Sequence, residues 1–67
     1  MAKRNTRTVR LVEDRGYIKI EMEMEYGQRD YIVRTPKGVI AVRSSLVEAQ
    51  VVANSLGYEL AKEAGNE

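Results

Sequence analysis

Between residues 17 and 26 apolar and charged side chains alternate without a break. Ile18, Ile20, Met22, Met24 and Tyr26 share one parity, and Lys19, Glu21, Glu23 and Glu25 share the other. A helical period would scatter these charges around an axis, whereas an extended strand sends them all to one face. The segment therefore predicts a strand with one buried side, and the rest of the chain must supply its neighbours and its cover. Val9 and Leu11 repeat the pattern in shorter form. Tyr31-Ile32-Val33 and Val39-Ile40-Ala41-Val42 are β-branched runs of strand length.

The punctuation between these runs predicts hairpins. Arg15-Gly16 and Gly27-Gln28 each place a glycine where a tight loop needs positive φ, and Pro36-Lys37-Gly38 reads as a turn with proline fixing its first corner. Short loops make consecutive strands neighbours, so the four runs predict an antiparallel meander. Requiring apolar residues to share a face then suggests a register. Leu11 faces Ile20, Val9 faces Met22, Met24 faces Tyr31, Met22 faces Val33, and Tyr31 and Val33 meet Val42 and Ile40. The outer face would then carry Arg10–Glu21–Arg34 and Asp30–Arg43 pairs, at the cost of Glu25 opposite Asp30. Such pairs contribute only about 0.2–1 kcal/mol each.

After Arg43 the period becomes helical. Ser45 and Glu48 have capping-box spacing, and Leu46, Ala49, Val52, Ala53, Leu56 and Leu60 fall on one stripe suited to covering the sheet. Gly57 leaves two endings open. It either caps the helix in the left-handed conformation with Tyr58 folding back, or sits mid-helix at a cost of ~1 kcal/mol. The predicted organisation is one α+β domain over residues 1–67, of order β-β-β-β-α in two layers. It comprises a flexible basic arm at 1–6, the sheet at 7–43, the helix at 45–64 and a frayed tail at 65–67.

A chain of 67 residues buries only roughly 60% of its unfolded surface, so it needs a further source of stability. With no cysteine there are no disulfides, and with no histidine the usual zinc ligands are missing. Self-association or docking on a partner is the remaining route. The basic N-terminus is followed by no apolar signal core, and no stretch approaches the ~20 apolar residues of a membrane span. The expectation is a cytoplasmic protein with no cofactor, no metal and no membrane partner.

Enzyme chemistry is not expected. Glu21, Glu23 and Glu25 form a row on an open sheet face, where nothing raises a carboxylate pKa. Ser44, Ser45 and Ser55 have no histidine to activate them, and Gly16, Gly27 and Gly38 are spread over separate turns instead of building a phosphate loop. With a formal charge of +1, nucleic-acid binding would have to come from local placement. Lys3, Arg4, Arg7 and Arg10 make a basic arm that would suit phosphates. In strand order the meander with a helix behind it resembles sheet-reading DNA-binding domains of the plant ethylene-response-factor type and the arm-binding domain of phage-type integrases. The resemblance implies a sheet that reads a groove, against which the acidic row works.

Protein partners are the leading expectation. Val47, Val51 and Tyr58 form a second apolar stripe on the helix, away from the one that meets the sheet. Ile32, on the outer face beside Ala41, and Tyr17, pointing outward, add smaller candidates. In size and style the chain resembles phage and mobile-element accessory proteins that inhibit host factors, anti-CRISPR proteins among them. The sequence thus predicts a small non-catalytic interaction module, as a homodimer. A DNA- or RNA-binding regulator using the arm, and a structural subunit of a larger assembly, are the alternatives.

Overall fold

A computed structural model describes residues 7–64. Strands β1 (Thr8–Asp14), β2 (Lys19–Glu25), β3 (Gln28–Thr35) and β4 (Gly38–Arg43) form one antiparallel sheet in chain order, and helix α1 (Leu46–Ala64) packs on one of its faces. This is the two-layer α+β meander the pattern predicts. The arm at 1–6 and the tail at 65–67 lie outside the described residues.

The turns fall one residue away from the places the glycines suggest, for a local reason. In the β2–β3 hairpin Glu25 pairs with Gln28, so the loop is Tyr26-Gly27, with φ of 54° and 78°. Two successive positive φ values are what a type I′ turn requires, and its twist matches the strands it joins. Gly27 takes the second place at no steric cost, which forces Tyr26 into the first. In the β1–β2 hairpin the Arg15 amide donates to the Ile18 carbonyl at 2.9 Å, so the loop is Gly16-Tyr17. Gly16, with φ 87°, takes the first central position, where only glycine is at ease. Asp14 accepts from the Gly16 amide at 2.9 Å and steadies the turn. Pro36-Lys37 close the third hairpin, with the Lys37 amide donating to Thr35 Oγ1 at 3.1 Å.

These turns change the register. On β2 and β3 the shift is by two residues, so faces are kept: Ile20 faces Val33 and Met22 faces Tyr31, both toward the helix. The like-charge contact moves from Glu25–Asp30 to Glu23–Asp30. On the edge strands the expectation fails. An irregularity between Leu11 and Glu13 places Leu11 opposite Glu21 and Val9 opposite Glu23, which turns both to the outer face. A second one, where Val33 pairs with Ala41 but Arg34 with Val39, puts Val42 opposite Ile32 on the outer face and Ala41 beneath the helix. An extra residue reverses every side chain beyond it, and alternation cannot report a bulge. Of the expected outer pairs, Arg34–Glu21 forms at 3.0 Å. Arg10 instead stands opposite Met22, and Arg43 stands opposite Tyr31 and donates to the Val42 carbonyl.

The core between the layers is thin. Ile18, Ile20, Val33, Ala49 and Ala53 are buried, and of these only Ile20 and Val33 are large side chains fully removed from solvent. Each is worth roughly 1.5–3 kcal/mol. Tyr31, Ala41, Leu46, Val52, Leu56 and Leu60 close around them, so the whole predicted helical stripe is at the interface. Ala49 and Ala53 on the contact face keep the helix close to the strands. Ser45 starts α1: its Oγ accepts from the Glu48 amide at 3.2 Å and its carbonyl accepts from the Ala49 amide at 3.1 Å. The helix then runs through Gly57 and does not end there. A methyl group at Gly57 would meet Ile18 Cδ1 at 3.8 Å, so the position has room for one.

Candidate interaction surface

At ~100° per residue, the helix side opposite Ala49, Ala53 and Leu56 carries Val47, Val51, Asn54, Tyr58 and Lys62. Val47 is 68% exposed, Val51 57% and Tyr58 69%, so the second stripe predicted from the sequence is an apolar crest facing solvent. One flank of the crest is tied down. Arg15 Nη1 donates to Asn54 Oδ1, and Gln50 Nε2 donates to Glu13 Oε1 at 3.2 Å. Glu13 and Arg15 also pair with each other, Arg15 Nε lying 3.0 Å from Glu13 Oε2. These bonds latch the end of the β1–β2 hairpin to the middle of the helix. The other flank, with Glu48, Ser55 and Lys62, is exposed.

The latch has an electrostatic signature. Hydrogen bonds from Arg15, then from Gln50, hold the Glu13 carboxyl below the usual carboxylate range. Asp14 is held low in the same way, first by the Gly16 amide and then by Lys19. Lys19 Nζ reaches Asp14 at 3.1 Å and donates to the Gly16 carbonyl at 2.8 Å. Both carboxylates are therefore committed to holding the first turn in shape.

The outer sheet face is mixed in character. Lys19 opposite Arg34 makes a basic row at one end, and Glu23 opposite Asp30 an acidic one at the other. Arg34–Glu21 and Arg7–Glu23 ion pairs cross between strands. Ile32 lies on this face as predicted, but it is 6% exposed, because Glu21 and Val42 flank it on the neighbouring strands. It offers a partner almost nothing; Val9, Leu11 and Val42, each about half exposed, carry the accessible apolar area. Tyr17 occupies the second position of its turn, partly exposed, beside a shallow recess shared with Lys19, Arg34 and Pro36. Tyr26 caps the opposite end of the sheet at 84% exposure, next to a cleft lined by Glu23, Glu25, Gln28 and Asp30.

The predicted basic arm is only partly in view. Lys3 and Arg4 lie outside the described residues, Arg7 pairs with Glu23, and Arg10 is exposed on the helix-facing side of β1. Those two side chains therefore do not form one basic patch with each other. Among the described residues no group of three or more acidic side chains is arranged to hold a metal ion, and no helix is long and apolar enough to cross a membrane.

Sequence reasoning located the crest and missed the latch. Asn54 and Gln50 carry no pattern that would single them out, and their partners sit 39 and 37 residues away in the chain. Tyr26 was also missed, since alternation assigns it to the buried face. Its signal was the Tyr-Gly step followed by a strand, where a type I′ turn needs both positions.

The chain matches no protein-family model, and no curated protein or solved structure is significantly similar to it. The class is set by the fold itself: a small antiparallel meander roofed by one helix.

Proposed function

We propose that this chain is a non-catalytic protein-interaction module that works by docking the crest of α1 onto another protein. One observation carries this reading. Three large apolar side chains, Val47, Val51 and Tyr58, stand in solvent along a single line, while among the described residues the core beneath holds only two large, fully buried ones. Exposed apolar residues scattered singly mean nothing, but a line of them on a rigid helix is the geometry of helix-mediated recognition. A core this small gains from any further burial. The role that fits is a small cytoplasmic regulator that occupies a surface on its target, in the manner of an accessory inhibitor.

The test is Val51→Glu. The side chain is exposed, so the fold should survive, as read by circular dichroism, while association through the crest is lost. The wild-type chain, immobilised and exposed to lysate of its source organism, should retain a partner that the variant does not. Equal retention by both would overturn the proposal.

A further inference from the structure

We propose that the end of the sheet face left uncovered by α1 binds single-stranded nucleic acid through Arg10, Arg29 and Arg43. This surface shares no residue with the crest. The strand ladder sorts charge by face. Arg10, Met22, Tyr31 and Arg43 stand opposite one another in one row across all four strands, and Met24 and Arg29 pair in the next row out. Both rows have the parity of Ile20 and Val33, so these side chains project from the helix-bearing face. Asp14, Glu21, Glu23, Glu25 and Asp30 have the other parity and project from the opposite face. Of the described strand carboxylates only Glu13 shares the helix-bearing side, and Arg15 and Gln50 hold it in the latch.

Helix α1 starts just past Arg43, packs on β4, β3 and β2, and reaches the β1–β2 turn, where Asn54 meets Arg15 and Gly57 lies beside Ile18. Its own carboxylates do not cancel the arginines. Glu48 is exposed on the free flank of the first turn, and Glu59 and Glu63 follow Gly57 at the far end of the helix. Arg10, Arg29 and Arg43 are all exposed, and among the described residues no ion pair engages them.

Arg10 and Arg43 stand three strand spacings apart, about 14 Å at ~4.8 Å each, and Arg29 lies about 7 Å from their row on the strand next to Arg43. The guanidiniums frame a bed of Met22, Met24 and Tyr31, all half-buried, of which the two methionines lie outside the buried core cluster. A planar guanidinium matches phosphate with two parallel hydrogen bonds, and unstacked bases match the apolar bed. A duplex keeps its bases stacked inside and would use the charges alone. An acidic peptide presents no π-face to the bed, and a membrane calls for apolar side chains that protrude beyond the basic ones.

Fluorescence anisotropy of labelled oligothymidylate and oligouridylate with the full chain tests this. Kd should be on the order of 100 μM at about 50 mM salt, and log K should fall against log salt with a slope of about −2, at roughly −0.7 per phosphate. Arg10→Ala, Arg29→Ala and Arg43→Ala should each weaken binding roughly 5–10-fold at that salt and lower the slope by about 0.7. Lys37→Ala, in the third turn, removes the same charge and should change neither, with circular dichroism checking that every variant folds. Binding to either oligonucleotide supports the site, and the tighter of the two shows whether RNA or DNA is its ligand. Equal affinity for a duplex, for poly-glutamate or for phosphatidylserine vesicles would overturn the single-strand assignment. Loss of binding in a Lys3→Ala, Arg4→Ala double variant, with Arg29→Ala silent, would move the activity to the N-terminal arm and overturn the site. No binding at ~1 mM chain, ten times the expected Kd, would refute the proposal outright.

Discussion

Tyr26 occupies a backbone position where an asparagine would be more comfortable, and replacing it should stabilise the protein. At φ 54° it lies in the left-handed region, where an L-residue with a Cβ pays roughly 1–2 kcal/mol. Asparagine is several-fold enriched there, and Asn-Gly is the preferred pair for a type I′ hairpin. The ring is 84% exposed, so its removal gives up very little buried area. Tyr26→Asn should therefore recover about half of the strain, a gain of about 0.5–1 kcal/mol. For a domain of this size that raises Tm by about 2–8 °C. Urea titrations followed by circular dichroism would measure it, with Tyr26→Ala as the control. Alanine also lacks the ring but keeps the left-handed penalty, so it should show no gain. If asparagine and alanine behave alike, or if asparagine destabilises, backbone strain is not what distinguishes this position.

Two further outcomes follow from the same geometry. Gly57→Ala replaces the poorest interior helix residue with the best, and the added methyl meets Ile18 Cδ1 at an ordinary 3.8 Å. It should stabilise by ~0.5–1 kcal/mol in thermal or urea unfolding, and a loss would mean that α1 and the first hairpin pack more tightly than that spacing indicates. Glu13 and Asp14 are both held below the ordinary carboxylate range, so the folded state favours their ionised forms. That contribution is complete above the unfolded value of about 4 and is lost as pH falls through the lower folded values. In acid titration Glu13→Gln should flatten the decline in stability below pH ~4, and an unchanged slope would show that the latch carries no linkage.

The kind of fold was legible because its signals are local. Alternation from Ile18 to Met24 marks a strand whatever lies beside it, and Ser45, Glu48 and the Leu46–Leu60 stripe mark a helix start and its buried side. The register was not, because it depends on single residues with no pattern of their own. Placing Gly16 first in its turn and Gly27 second moved those hairpins by two residues, and a bulge in each edge strand then carried Val9, Leu11 and Val42 to the opposite face. The assumption that all apolar residues share one side was the error. A sheet with one helix above it has no second layer to demand that consistency, so its edge strands can leave valines in solvent. The crest was readable since α1 has no bulges, and its faces follow from residue number alone.

The chain-order meander has a consequence for how the molecule assembles. Each strand is hydrogen-bonded only to its predecessor and successor, so hairpins can zip one after another with short loops to close. Among the described residues the most distant encounter between elements is the return of the C-terminal helix onto β2 and β3. Proteins wired through near neighbours reach the native state quickly, because little entropy is surrendered before contacts begin to compensate for it. The helix that presents the crest closes over a sheet whose own strands are joined by short loops.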